Sequence, residues 1–428
     1  MEIYPVLLMI VFIALGMPVG FALGVAGSIG LSMIGGWDAL LQVCSTTPYR
    51  SVTSMTMATI PLFIFMAEMV SAGGIARDLF DACTKFVGRI PGGVAVATVI
   101  ANAGFGAISG SSLAAAGAMS SVAMPELRRA GYSAPISAGV IAVAGTLAIM
   151  IPPSIPLVVY GIVTETSIGK LLIAGIVPGL MTMVIYSIGI IFWGRVKPGT
   201  IPNGQRHSWK EKFQTLPKIW VFLVIVAVIF FCLYGGVATP SEVASIGATV
   251  TLLMLVITKQ MGLQGILRAA RRTMKATAMI FFIIIGAMIF GYYLTASQLA
   301  HNLIIYIGGL GLPNWGVMAL IVIIYLILGC LMDQMAILLI TLPITFPLVM
   351  SLGYNPIWYG IIIVKLAEIG LITPPVGMNC YVVSGATGVP LQDVFKGSMM
   401  MLAFEFITIG LLLAFPILST WLPSTIRG

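Results

Sequence analysis

Apolar runs about as long as a membrane is thick follow one another along the chain, separated by short polar joints. A helix needs about 20 apolar residues to cross a bilayer. On that measure the pattern predicts spans at roughly 3–17, 19–35, 55–72, 171–194, 219–236, 242–258, 277–296 and 398–418. Gly16-Met17-Pro18-Val19-Gly20 separates the first two. Four further runs are interrupted. Ser109-Gly110-Ser111-Ser112 and Leu331-Met332-Asp333-Gln334 divide two of them, predicting helical hairpins over 93–127 and 315–350 that enter and leave on one side. Ile151-Pro152-Pro153-Ser154 and Thr373-Pro374-Pro375-Val376 divide the runs 133–163 and 356–384. A Pro pair removes two N–H donors and clashes with the preceding turn, so each predicts a broken helix. Carbonyls bared by a break are costly in lipid and must be covered by protein, water or an ion.

The interrupted runs are copies. An offset of 222 residues takes Pro91 to Pro313, Pro125 to Pro347, Gly131 to Gly353, Tyr132 to Tyr354, and Pro152-Pro153 to Pro374-Pro375. So many matches in one ungapped register indicate a duplication. Paired interrupted spans at corresponding positions of two halves point to the binding site of a secondary transporter.

Composition agrees. Of 428 residues 59% are hydrophobic and 8% charged, with a mean hydropathy of +1.10. An ordinary soluble domain carries about 25% charged residues. The fold class expected is an all-α polytopic membrane protein. The run Ile3 to Gly35 lacks a basic start and is too long for a signal peptide, so it reads as mature structure. The net charge of +8 is no nucleic-acid signal; its placement matters more. Arg77, Lys85, Arg89, Arg128, Arg129, Arg195, Lys197, Arg206, Lys210, Lys212, Lys218, Lys259, Arg268, Arg271, Arg272, Lys275 and Lys396 fall on one side, 17 of the 21 basic residues. That side is cytoplasmic. Arg50, Lys170 and Arg427 fall on the other, and Lys365 lies within a span. Both termini are then expected outside. The first hairpin opens from the cytoplasm and the second from outside, so the repeat is inverted, as alternating access favours. The expected organisation is scaffold helices over 1–54, a first repeat over 55–194, a linker with scaffold helices over 195–276, and a second repeat over 277–428. Ala76 to Val87 and Gln264 to Lys275 mix apolar and basic residues, which suits helices lying in the cytoplasmic interface. Ala296 to Ile307 is their external counterpart. The five cysteines and two histidines have no metal or disulfide spacing.

The chemistry expected at the breaks is ion binding. Na+ is a hard cation and takes oxygen ligands. Ser109, Ser111, Gly145, Ile151 and Pro153 are candidates for one site, mostly through backbone oxygen. Asp333, Gly370, Thr373, Pro375 and Met378 are candidates for a second. Helix N-termini at Ser111-Ser112 and Val376-Gly377 offer free N–H groups and partial positive charge to an anion. With Lys365 they favour a carboxylate or sulfonate, so Ser112, Lys365, Gly377 and Asn379 are substrate candidates. Charges inside a membrane are functional hypotheses by default. Lys365 and Glu368 form either a structural ion pair or a substrate lure and a clamp on the mobile half. Pro152 and Pro374 shape the breaks. Glu68 and Glu405 anchor a frame helix or pair with another subunit. No HExxH, facing aspartate pair or Ser–His arrangement supports an intramembrane enzyme.

These motifs resemble a known family. Gly104-Phe105-Gly106-Ala107-Ile108-Ser109-Gly110-Ser111-Ser112, Ile151-Pro152-Pro153-Ser154-Ile155-Pro156, Ser167-Ile168-Gly169-Lys170-Leu171, Ala174-Gly175-Ile176-Val177-Pro178-Gly179 and Glu368-Ile369-Gly370-Leu371-Ile372-Thr373-Pro374-Pro375-Val376-Gly377 are similar to the large membrane subunit of TRAP transporters. The resemblance implies a Na+-driven importer of the bacterial inner membrane, with two or more Na+ sites and no organic cofactor. It implies a periplasmic substrate-binding protein that captures an organic anion, and a small membrane subunit of about four spans as a separate chain. It also implies an elevator-type movement of hairpins and broken helices against a scaffold. A Na+/carboxylate symporter working without a binding protein and a passive anion channel are the alternatives.

Overall fold

The computed structural model describes residues 3–197, 200–202, 204, 207–309 and 311–425. Arg206, Arg427 and both chain ends lie outside them. Every regular element among the described residues is a helix. Eight of these helices are long and apolar enough to cross a bilayer. The chain is a multi-pass membrane protein.

The helices pack as two groups. A frame is built from Val19–Thr53, Thr59–Ala72, Pro240–Ile257 and Leu263–Ala296, with Tyr4–Ala14 and Trp220–Tyr234 outside them. The largest of its contacts pairs Val19–Thr53 with Leu263–Ala296. A core holds the two hairpins, the two broken spans, Ile176–Val196 and Leu391–Ala414. There Ala134–Thr146 and Leu391–Ala414 meet backbone to backbone, because Gly139 and Gly397 face each other without side chains. Membrane helices associate through such small residues, since lipid offers no hydrophobic drive between apolar faces.

Both hairpins form: Gly93–Ser109 with Ser112–Arg129, and Asn314–Leu331 with Gln334–Ser351. Each arm of the second is of spanning length. Both broken spans form as well. The first runs through Ala134–Thr146 and a 3-10 turn, Leu147–Ile149, then restarts at Ile155–Thr164. The second stops at Pro356–Gly370 and restarts at Met378–Thr387. Side-chain caps set the starts. Ser133 accepts from Ile136 N, and Asn355 Oδ1 accepts from Ile357 N at 2.9 Å. These bonds satisfy donors that a helix leaves free at its N-terminus.

Some boundaries differ from the sequence reading. Val19–Thr53 continues well beyond 35, bending at Gly36, which has φ 70°. Gln264 to Lys275 is no separate interfacial helix but the first part of the 34-residue helix Leu263–Ala296. Its residues, Leu, Ala, Arg, Met and Lys, are strong helix formers, and backbone bonding ignores the change from polar to apolar. The span expected at 398–418 starts earlier and ends sooner, as Leu391–Ala414. Phe415 and Pro416 separate it from Ile417–Ser424.

Candidate functional site

Each hairpin tip lies against the break of its own repeat. In the first, Ile155 N donates to Gly110 O at 3.4 Å. A Cβ on Gly106 would stand 2.5 Å from Ala148 Cα, so tip and break meet at main-chain distance. In the second, Val376 N donates to Cys330 O at 3.1 Å, and a Cβ on Gly329 would stand 3.0 Å from Gly370 Cα. The 222-residue offset carries Ala148 onto Gly370. Both Pro pairs, Pro152-Pro153 and Pro374-Pro375, contain a cis peptide bond.

The repeats also interlock. Met378–Thr387 packs on the second arm of the first hairpin and on Ala134–Thr146. Ile155–Thr164 packs on the second arm of the second hairpin and on Pro356–Gly370. The restarted half of each broken span thus sits in the opposite repeat.

Of the first set of candidates, Ser109, Ser111 and Pro153 come together around Gly110, whose α-carbon faces the Pro153 carbonyl. Ser109 is fully buried and its hydroxyl has no hydrogen-bond partner. Ser111 caps the next helix, accepting from Ala114 N at 3.4 Å. Ile151 N is bonded to Leu147 O at 3.2 Å, where the chain leaves the helix. Gly145 lies against Ala116 too closely for a side chain: a Cβ there would stand 2.9 Å from the Ala116 methyl.

Of the second set, Gly370 touches Gly329 at the hairpin tip. Thr373 Oγ1 donates to Ile369 O at 2.6 Å. Asp333 caps Gln334–Ser351, its Oδ1 accepting from Met335 N at 2.8 Å. Met378 is half-buried at the helix restart, and Pro374 and Pro375 are exposed.

The substrate candidates divide. Ser112 and Gly377 open the helices whose N-termini follow a tip and a break, respectively. Asn379 Nδ2 donates across the repeats to Ala142 O at 3.1 Å, leaving Oδ1 buried without a partner. Lys365 stands apart. It is fully buried, with Nζ 3.2 Å from Glu368 and 2.6 Å from Glu405. Of the two roles open to Lys365, a structural ion pair and a substrate lure, the geometry shows the ion pair, with two carboxylates around the ammonium. Glu405 correspondingly pairs within this chain. Glu68 lies 3.5 Å from Arg272 and ties two frame helices.

The sequence reading missed a buried hydroxyl cluster, Tyr325 with Thr341 and with Thr345 at 3.1 Å. Tyr160 lies close by and donates to Pro356 O at 2.7 Å. Tyrosines inside apolar runs were its available signal. A cavity of about 1150 Å³ also opens between frame and core, lined by Arg50, Glu165, Glu242, Tyr292 and Phe346 among others.

A family description, tripartite ATP-independent periplasmic transporter, DctM component, matches residues 6–421. This chain belongs to the DctM family. It is 39% identical over 370 residues to the C4-dicarboxylate TRAP transporter large permease protein DctM of Pseudomonas aeruginosa, covering 86% of this chain and 84% of that one. It is 30% identical to the isethionate TRAP transporter permease protein DctMQ of Oleidesulfovibrio alaskensis, over 96% of this chain and 64% of that one. It is 29% identical to the ectoine TRAP transporter large permease protein TeaC of Halomonas elongata, over 97% of each. The fold is similar to that of the YdaH transporter of Alcanivorax borkumensis, with a TM-score of 0.62 at 16% identity, over 97% of this chain and 99% of that one. As a DctM-family protein the chain is a large permease component of a transporter for organic substrates.

Proposed function

We propose that this DctM-family chain imports a small organic anion, a carboxylate, sugar acid or sulfonate, by Na+ symport in the bacterial inner membrane. Both termini face the periplasm. A periplasmic binding protein delivers the substrate, and a small membrane subunit flanks the frame. The observation that carries the reading is the meeting of each hairpin tip with its own break. Each junction gathers main-chain oxygens and small hydroxyls, the ligands Na+ prefers, and the two junctions are related by the internal repeat.

Ser109, Ser111, Gly145, Ile151 and Pro153 supply one ion site, with Pro152 holding the break open. Asp333, Gly370, Thr373, Pro375 and Met378 supply the other, with Pro374 in the same role. Ser112, Gly377 and Asn379 face the anion through helix N-termini and an amide. The hairpins are re-entrant, the repeats inverted, and the core slides against the frame as an elevator. Relatives whose names specify a dicarboxylate and isethionate favour an anion; the ectoine relative keeps the class broad.

Reconstitution tests this. Liposomes containing this chain, its small membrane subunit and the cognate binding protein should accumulate substrate only under an inward Na+ gradient. Accumulation without the gradient would favour a channel, and accumulation without the binding protein would favour a simple symporter.

A further inference from the structure

Positive charge without a counter-charge collects on the frame, in the first part of Leu263–Ala296. Arg268, Arg271, Arg272 and Lys275 lie there, and the sequence holds no Asp or Glu from 243 to 332. Glu68, from another helix, reaches Arg272 at 3.5 Å. Arg268, Arg271 and Lys275 are exposed and pair with no carboxylate among the described residues. The helix starts after Gly262 with no side-chain cap and no acidic residue in its first turn. Its N-terminal dipole therefore adds to the positive charge at the same end.

The unpaired cations belong to a longer stripe. Arg268, Arg271, Lys275, Met279 and Phe282 recur at steps of three and four residues, so they share one face of the helix. All five are exposed. Residues 276–296 carry no charge and rise about 31 Å, the thickness of a bilayer's hydrocarbon. Lys275 thus stands at the edge of the hydrocarbon, Arg271 and Arg268 at headgroup level, and Met279 and Phe282 beside the acyl chains. Phe282 packs on Phe21 of Val19–Thr53, with ring centroids 4.4 Å apart, and Phe21 is itself exposed. The apolar part of the stripe is therefore two helices wide.

We propose that this stripe binds an anionic phospholipid. Arg268, Arg271 and Lys275 hold the phosphate, and an acyl chain lies along Met279, Phe282 and Phe21. Water would satisfy the cations and any lipid tail the apolar part; a lipid with a net negative headgroup matches both at once. The forked donors of arginine suit phosphate oxygens, and lysine adds a point charge. Each such cation favours an anionic surface about fivefold, so three give about a hundredfold. The inference goes beyond the transport reading and needs only the membrane-spanning helix, so it stands whether or not that reading does.

Native mass spectrometry of the full-length chain, released from detergent with equal amounts of phosphatidylglycerol and phosphatidylcholine, tests it. The wild type should retain phosphatidylglycerol in preference. The triple variant Arg268→Gln, Arg271→Gln, Lys275→Gln should lose most of that preference. Lys197→Gln, Lys210→Gln, Lys212→Gln, which removes equal charge from the linker, should keep it. Equal retention of the two lipids by the wild type overturns the proposal, as does an equal loss in both variants. Should the first variant not fold, amine labelling of the wild type decides. Phosphatidylglycerol should protect Lys275 but not Lys210, and phosphatidylcholine should protect neither. Equal labelling of Lys275 in both lipids overturns the proposal. So does protection of Lys275 by inorganic phosphate alone, which would assign the cations to a soluble anion. Loss of the phosphatidylglycerol effect when the small membrane subunit is added would assign the stripe to that protein and overturn it too.

Discussion

The two proline breaks derive from one sequence device and differ in how they are finished. At the first, Pro152, Pro153 and Ser154 are all buried. Ser154 closes the gap from within: its hydroxyl donates to Ile149 O and accepts from Leu157 N. At the second, Pro374 and Pro375 are exposed, and no serine follows them. The gap is spanned by main chain, Asn379 N donating to Leu371 O at 3.0 Å. Duplication supplied two equal interruptions. Packing has made one a sealed joint and left the other open at its prolines, as expected if the halves of a repeat stand in different surroundings at any one moment.

The largest expected difference between them lies at the tight glycines. Gly110 and Gly377 both have positive φ, 59° and 52°, where a side chain costs about 1–2 kcal/mol. At Gly110 a methyl would run into the Pro153 carbonyl, which is fixed backbone. At Gly377 it would stand 2.5 Å from Phe395 Cε1, on a ring that can turn aside. Overpacking adds about 1–3 kcal/mol where neighbours cannot move. Gly110→Ala should therefore melt well below Gly377→Ala in detergent. Equal midpoints would mean that the first junction is no more rigid than the second.

Next come the closing hydroxyls. Ser154→Ala removes a cap and a donor to a buried carbonyl, a loss of about 1–2 kcal/mol. Thr373→Ala removes one bond back to the preceding turn and should change stability far less. If Thr373→Ala is as damaging, the second break is sealed in the same way as the first. Asp333→Asn should have a smaller effect on stability still, because Asn caps a helix about as well as Asp. It should raise the Na+ concentration needed for half-maximal uptake. Unchanged Na+ activation with normal expression would reduce Asp333 to its cap.

Both breaks were legible in the sequence, because proline acts locally and apolar runs report span length. The register of 222 residues supplied their correspondence. What was not legible depended on distant partners. Glu405 lies 40 residues beyond Lys365, and nothing in either apolar run tells which charge will meet which. Nor does the alternation of polar and apolar residues reveal that Leu263–Ala296 is one helix. Pattern reports environment, and that helix passes through two. The unequal burial of the proline pairs was equally hidden, since Pro-Pro reads alike in both copies.

The smallest effect expected on the resting protein is also the sharpest test of the first junction. Ser109 is buried with an unpartnered hydroxyl, while its neighbour Ser111 is occupied as a cap. A buried polar group without a partner is a cost, so Ser109→Ala should melt at or slightly above wild type when Na+ is absent. Added Na+ should raise the wild-type midpoint, as any ligand that binds only the folded state does. The variant should gain less if that hydroxyl ligates the ion. Equal gains would make Ser109 a packing residue, and the buried first break would then be a structural hinge facing one ion-binding break at Thr373.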